Sequence, residues 1–151
     1  MQIKIINATT VVLDLLVPLF DAYRIFYEED SNPEQAQQYL QTRLDQKETT
    51  IFLALNSQNE TEAYGFTLLY PSYSSLSMRP IFILHDLYVT PTARRQGVAS
   101  QLMEHARQFA QSEGAAYVAL ETAVNNYPAQ KLYESLGYQR DTEFHTYHLL
   151  L

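Results

Sequence analysis

Three consecutive segments restrict the architecture more than any others. Ile81–Val89 is a near-continuous apolar run, the pattern of a strand covered on both faces. From about Gly97 to Glu113 a helical pattern follows, with Val98, Leu102, Ala106, Phe109 and Ala110 on one stripe and Gly114 placed as its C-terminal cap. Tyr117–Ala123 is again strand-like. A strand, a helix and a strand in this order imply one right-handed parallel crossover. The chain therefore belongs with the α/β folds that contain a mixed sheet.

The flanking segments complete the order. Ile3 and Ile5 mark a short first strand. Asn7, Thr9 or Thr10 can cap a helix running to about Tyr27, on which Val12, Leu15, Leu16, Leu19, Tyr23 and Phe26 recur at spacings of three and four. Pro18 falls in its first turn or kinks it. Ser31-Asn32-Pro33-Glu34 opens a second helix with Ala36, Tyr39, Leu40 and Leu44 on one side. Thr50–Leu55 and Ala63–Tyr70 read as strands, and Pro71–Arg79 as a serine- and tyrosine-rich loop. Pro128–Leu136 is a short helix ended by Gly137, and Glu143–Leu151 reads as a last strand. The order is β-α-α-β-β-β-α-β-α-β-β.

With 151 residues and no internal repeat, a single domain spanning residues 1–151 is expected. The chain has no cysteine, which excludes disulfides, thiolate zinc sites and a cysteine nucleophile. Its net charge of -7 carries no basic stripe of the kind nucleic-acid binders show. An acidic surface can attract amines or lysine-rich peptides, or serve solubility alone. No signal peptide is read at the N-terminus, and Val11–Phe20 is too short and too interrupted to span a bilayer. A cytoplasmic protein that binds neither nucleic acid nor membrane is expected.

The chemistry is signalled at Arg94-Arg95-Gln96-Gly97-Val98-Ala99-Ser100, which joins the apolar strand to the helix. A helix N-terminus offers free N–H groups and partial positive charge, which suit an anion. Gly97 and Ala99 allow close approach to the backbone, and two arginines add forked donors. The turn lacks the residues of a Walker loop or a dinucleotide fingerprint. An ordinary helix start with two solvated arginines would read the same.

A second motif stands behind it. Arg94-x-x-Gly97-x-Ala99 and Asn126-x-x-Ala129-x-x-Leu132-Tyr133-x-x-x-Gly137-Tyr138 together resemble the coenzyme motif and the later motif of the Gcn5-related N-acetyltransferase (GNAT) superfamily. The resemblance covers residues 50–140 well and the N-terminal helices more loosely. The layout is most similar to the polyamine and histone acetyltransferase branch. Its points of similarity are Leu19-Phe20-Asp21-Ala22-Tyr23-Arg24-x-Phe26-Tyr27, the serine-rich loop after Gly65-Phe66, and Leu84-His85-Asp86-Leu87-Tyr88-Val89.

The resemblance implies a GNAT fold with a splayed central strand pair and acetyl-CoA as cosubstrate, with no metal. It implies that Leu87-Tyr88-Val89 bonds the pantetheine arm. The pyrophosphate would then lie on the amides of Gln96, Gly97, Val98, Ala99 and Ser100, beside Arg94 and Arg95. It gives Tyr133 the role of acid toward the leaving sulfur and puts Asn126 near the coenzyme, where it also suits a helix N-cap. His85 departs from the branch, whose members carry glutamate there. It reads either as base or water-orienter, or as a packed residue. Asp86 follows as amine binder or buried acceptor, and in a regular strand the two would face opposite sides.

On the acceptor side, Glu28-Glu29-Asp30 follows Tyr23, Phe26 and Tyr27. Acids beside aromatics can hold a cationic amine, and an ordinary solvated helix end reads alike. Tyr27, Glu28, Glu29 and Tyr70 are the substrate-binding candidates, with Tyr73 and the serine-rich loop beside them. His145 and His148 lie three apart in a strand pattern, on opposite faces, so no metal site is read there. The apolar tail Tyr147–Leu151 suggests a strand or a homodimer contact.

Overall fold

The computed structural model describes residues 1–151. Contacts divide the chain into two compact units, Met1–Glu121 and Thr122–Leu151.

The first unit is built on a five-stranded sheet in the order β1-β2-β3-β4-β5. The strands are β1 (Ile3–Asn7), β2 (Thr50–Asn56), β3 (Asn59–Ser74), β4 (Arg79–Val89) and β5 (Val118–Ala119). Pairing is antiparallel except between β4 and β5, which run parallel across the expected crossover. Alternation along β2 sorts the core. Ile51, Leu53 and Leu55 face a cluster made with Leu16, Val17 and Phe20 of α1 (Leu13–Phe26) and with Ala36 and Leu40 of α2 (Pro33–Asp45). Phe52 meets Phe109 of α3 (Val98–Ser112), and so does Phe82 of β4.

Local chemistry sets the helix starts. Thr9 accepts a bond from the Val11 amide ahead of a short tight turn that leads into α1. Asn32 caps α2 by accepting from the Gln35 amide, with Pro33 in the first position. Pro18 sits on the exposed side of α1, so the Asp14 carbonyl that its missing N–H leaves free lies toward solvent rather than the core. Asp21 is buried and accepts from the Ser31 hydroxyl at 2.7 Å and the Asn32 amide at 2.8 Å, which ties the α1–α2 connection to α1.

Three expectations need correction. The loop expected over Pro71–Arg79 is mostly sheet: β3 runs on to Ser74 and pairs Pro71 with Phe82 and Ser74 with Arg79. Exposure alternates along residues 71–74, the period of a strand, even though proline and serine are poor strand formers. The strand expected at Tyr117–Ala123 is regular only at Val118–Ala119, because β4 is its sole partner and their pairing is brief.

The second unit contains one regular element, α4 (Tyr127–Ser135), capped by Asn126. Glu143–Leu151 forms no strand. A strand needs a partner ladder, and this unit contains none. Tyr147, Leu149, Leu150 and Leu151 are exposed.

Candidate active site

The sheet opens where chemistry was expected. β4 and β5 share only the pairs Phe82↔Val118 and Ile83↔Ala119. From Leu84 to Val89, β4 continues with no paired strand on that side, while β3 holds its other edge as far as Gly65↔Val89. This is the splayed pair, and it leaves strand backbone without a ladder partner beside Leu87, Tyr88 and Val89.

The turn after β4 is shaped by two left-handed residues. Arg95 has φ 60 and Gly97 has φ 84. α3 then starts at Val98 with Gly97 at its N-cap and no side chain capping its first amides. Consecutive N–H groups around left-handed residues form an anion-binding concavity. A Cβ on Gly97 would meet nothing within 4 Å, so the space over the turn is open and backbone strain is what favours glycine. Gln96 and Arg95 are exposed, Ala99 and Ser100 half-buried, and Val98 anchors the turn in the core. Arg94 has a more structural place than the sequence suggested. Its Nε donates to the Val89 carbonyl at 2.9 Å, and its guanidinium lies 5.7 Å from the Tyr88 ring centroid. The Gln96 side chain bonds back to the Thr92 carbonyl.

His85 and Asp86 overturn the expectation of opposite faces. The β3–β4 register pairs Leu68 with Asp86 and Leu69 with Leu84, so His85 is the extra residue of a β-bulge. A bulge re-aims side chains. Here it brings His85 Nδ1 to 3.0 Å from Asp86 Oδ1. Asp86 is 4% exposed, whereas the imidazole is largely open. The hydrogen bond to Asp86 raises the His85 pKa above its ordinary value. Burial opposes this, while the charges of Asp86 and Glu121 add to it.

Aromatic rings gather on the same histidine. Tyr70 lies 5.5 Å from His85 between centroids, edge to face, and its hydroxyl shares a hydrogen bond with Tyr39 of α2. Burial and that bond push the Tyr70 phenol far above its usual range, so it stays protonated. Tyr23 donates to the His85 carbonyl at 3.3 Å and lies 5.0 Å from Tyr27 between ring centroids. Two of the acceptor-side candidates, Tyr27 and Tyr70, therefore join one aromatic group with His85. Glu28, at φ 63, and Glu29 lie in the turn closing α1, and Glu29 pairs with Arg24 at 3.8 Å. Arg24 partly compensates the acidic run.

Three residues of this site were missed in the sequence. Tyr39 stood in the α2 pattern without a role. Thr67 is fully buried and bonds the Asp86 carbonyl. Glu121 stands two residues beyond Ala119, as His85 stands two beyond Ile83, its partner. That offset follows from the β4–β5 register, so the sequence alone carried no signal for Glu121.

In the second unit, Asn126 Oδ1 accepts from the Ala129 amide at 3.3 Å, the capping role foreseen for it. Tyr133 is half-buried within α4, 6.1 Å from Tyr138 between ring centroids. No group of three or more His, Cys, Asp or Glu side chains is gathered as a metal site.

An antiparallel sheet that ends in a parting parallel pair, followed by an uncapped glycine-led helix start, defines the class. The chain belongs to the acetyltransferase (GNAT) family, whose model matches residues 16–138. It is 41% identical over 129 residues to the uncharacterized N-acetyltransferase YhfO of Bacillus subtilis (strain 168), covering 85% of each chain. It is 29% identical over 148 residues to a probable acetyltransferase of Haemophilus influenzae, covering 98% of each. The crystal structure of a probable acetyltransferase superposes with a TM-score of 0.93 at 46% identity, covering 98% of this chain and 97% of that one. The protein is an acyl-CoA-dependent N-acetyltransferase with the GNAT fold. These relatives do not single out the polyamine-like branch.

Proposed function

We propose that the protein transfers an acetyl group from acetyl-CoA to a primary amine, on a polyamine-like small molecule or a lysine side chain, by direct attack. The observation that carries this reading is the His85–Asp86 pair beside the open edge of β4. A lysine-like amine has a pKa of about 10.4, so only about 0.04% is neutral at pH 7. The attack therefore needs a base. With Nδ1 turned to a buried carboxylate, the neutral imidazole keeps its proton on Nδ1 and leaves the Nε2 lone pair for the amine or an intervening water. Asp86 then stabilises the imidazolium that forms.

The residues present fit the cosubstrate. Main-chain amides of residues 96–100 would hold the pyrophosphate, and the edge of β4 at Leu87–Val89, which no strand pairs and where Arg94 already bonds the Val89 carbonyl, would pair with the pantetheine amides. The bound thioester supplies an activated acetyl group. The motif around Tyr133 gives that phenol the task of protonating the departing thiolate, whose cysteine-like pKa of about 8.5 makes the task modest. Tyr27 and Tyr70 offer ring faces to a cationic acceptor, with Glu28 and Glu29 as nearby charge.

The single-domain reading of residues 1–151 and a cytoplasmic location accord with this activity. No helix is long and apolar enough to cross a membrane. The exposed apolar tail supports a homodimer, which light scattering at micromolar concentration would reveal.

The test is an acetyl-CoA assay across polyamines, aminoglycosides, amino acids and basic peptides. Turnover of at least one primary amine is expected, lost in His85→Gln and sharply reduced in Tyr133→Phe. Tight coenzyme binding without turnover on the whole panel would refute the reading. It would favour a non-catalytic acyl-CoA sensor.

A further inference from the structure

The buried polar side chains of the fold number three: Asp21, Thr67 and Asp86. Asp21 holds the α1–α2 connection and Asp86 holds His85. Thr67 is wholly inaccessible, and its hydroxyl donates to the Asp86 main-chain carbonyl at 2.8 Å. Along β3 it pairs with Leu87, one step before the register break between Leu68 and Leu69.

We infer that Thr67 is a positioning residue that pins the β4 bulge, and so fixes the contact between the His85 imidazole and the Asp86 carboxylate. A bulge interrupts the ladder and leaves local backbone groups to find other partners. A buried hydroxyl without an acceptor costs free energy, which holds the Thr67 hydroxyl on the Asp86 carbonyl, and a strand without its bulge would send neighbouring side chains to opposite faces. The threonine hydroxyl supplies a donor at that carbonyl. Valine has the shape of threonine but lacks the donor. Without the pin, the bulge can slide along β4, and a slide of one residue separates His85 from Asp86.

The groups facing His85 from the surrounding elements are few. Asp86 bonds it within β4, Glu121 adds charge from beyond β5, and Tyr70 of β3 lies against the ring with its hydroxyl on Tyr39 of α2. From α1, the Tyr23 hydroxyl donates to the His85 carbonyl. Of these, the contact with Asp86 is the leading cause of the raised pKa, so its loss returns His85 toward about 6.5.

The inference rests on His85 acting as base only for its consequence in activity. It is tested by titrating the His85 ring protons by NMR and recording kcat/KM against pH in the wild type, Thr67→Val, Thr67→Ala and Thr67→Ser. Valine and alanine are expected to move the His85 titration and the acidic limb together to lower pH, with kcat/KM at its plateau down by about tenfold to a hundredfold. Serine is expected to restore all three. A titration that moves while the limb stays put supports the pin and removes His85 from the base role. A His85 titration unchanged in both valine and alanine variants, or a serine variant that behaves like valine, overturns the inference. The alanine variant guards against misfolding of either hydroxyl-free variant, because both must agree.

Discussion

Gly65 offers the sharpest test of how the sheet supports the coenzyme edge. It pairs with Val89 at the far end of β4, and a Cβ built on it would lie 2.4 Å from the Tyr88 carbonyl oxygen and 3.1 Å from the Val89 Cα. These two are main chain, so although the Val89 side chain, at 3.2 Å, can turn, the closest obstacle cannot swing away. In Gly65→Ala the carbonyl must retreat by at least about 0.6 Å to reach even the tightest tolerated contact. Overpacking of this kind costs about 1–3 kcal/mol, and a rigid backbone obstacle argues for the upper half of that range. For a chain of this length each kcal/mol lowers Tm by about 2–4 °C, so a fall of about 4–12 °C is expected. The displaced backbone is the segment that bonds the pantetheine arm in the proposed mechanism. The same variant should therefore raise the KM for acetyl-CoA more than the KM for the amine. Scanning fluorimetry and steady-state kinetics measure the two effects. A Tm within 2 °C of wild type, with an unchanged acetyl-CoA KM, would refute the close approach of β3 and β4 and its link to the coenzyme edge.

Other expectations follow from single contacts. Gly97→Glu adds strain at φ 84 and a negative charge at the anion site, so calorimetry should show acetyl-CoA affinity falling steeply; unchanged affinity would displace the site from this turn. Asp21→Ala removes the acceptor of the Asn32 amide and the Ser31 hydroxyl, at a cost of about 1–3 kcal/mol in denaturant unfolding. Because the folded pKa of His85 is raised, its contribution to stability is complete below the unfolded value of about 6.5 and disappears as pH rises through the folded value. The Tm deficit of His85→Gln should thus be larger at acidic than at alkaline pH; a deficit independent of pH would contradict the raised value. Asp86→Asn should lower the His85 titration further than Glu121→Gln does, since the bond to Asp86 is the first cause and the Glu121 charge the last.

Much of this arrangement is legible in residue order. The apolar run, glycine turn and amphipathic stripe predict β4, the left-handed Gly97 turn and α3 to within a residue or two, because local steric and capping rules decide them. The capped start of α2 is equally local. The β3–β4 hairpin is less legible. The outer part of β3 contains Pro71, Ser72 and Ser74, poor strand formers, and it is held by pairing to β4 rather than by propensity. The tail fails for the converse reason: Tyr147–Leu151 has strand-like side chains but no ladder to join. Both cases turn on partners distant in sequence, which a local pattern does not contain.

The site itself fails at one residue. Period-two alternation puts His85 and Asp86 on opposite faces, and every step of that reasoning holds for a regular strand. One extra residue on β4 against β3 reverses it, and nothing in Leu84-His85-Asp86-Leu87 announces the extra residue. What fixes it is Thr67, nineteen positions earlier, whose hydroxyl reaches the carbonyl beside the break. In sequence Thr67 is an unremarked polar residue within Ala63–Tyr70. A wholly buried threonine has to spend its hydroxyl on something, and the acceptor it finds shows where the strand departs from its period. Glu121 is hidden from the sequence in the same way. Beyond the last parallel pair the two strands part, so no ladder pairs Glu121 with His85, and the acid acts on the histidine through its charge. The residues that identify the family lie in contiguous motifs. Those that tune the histidine lie on neighbouring strands and are visible only through register.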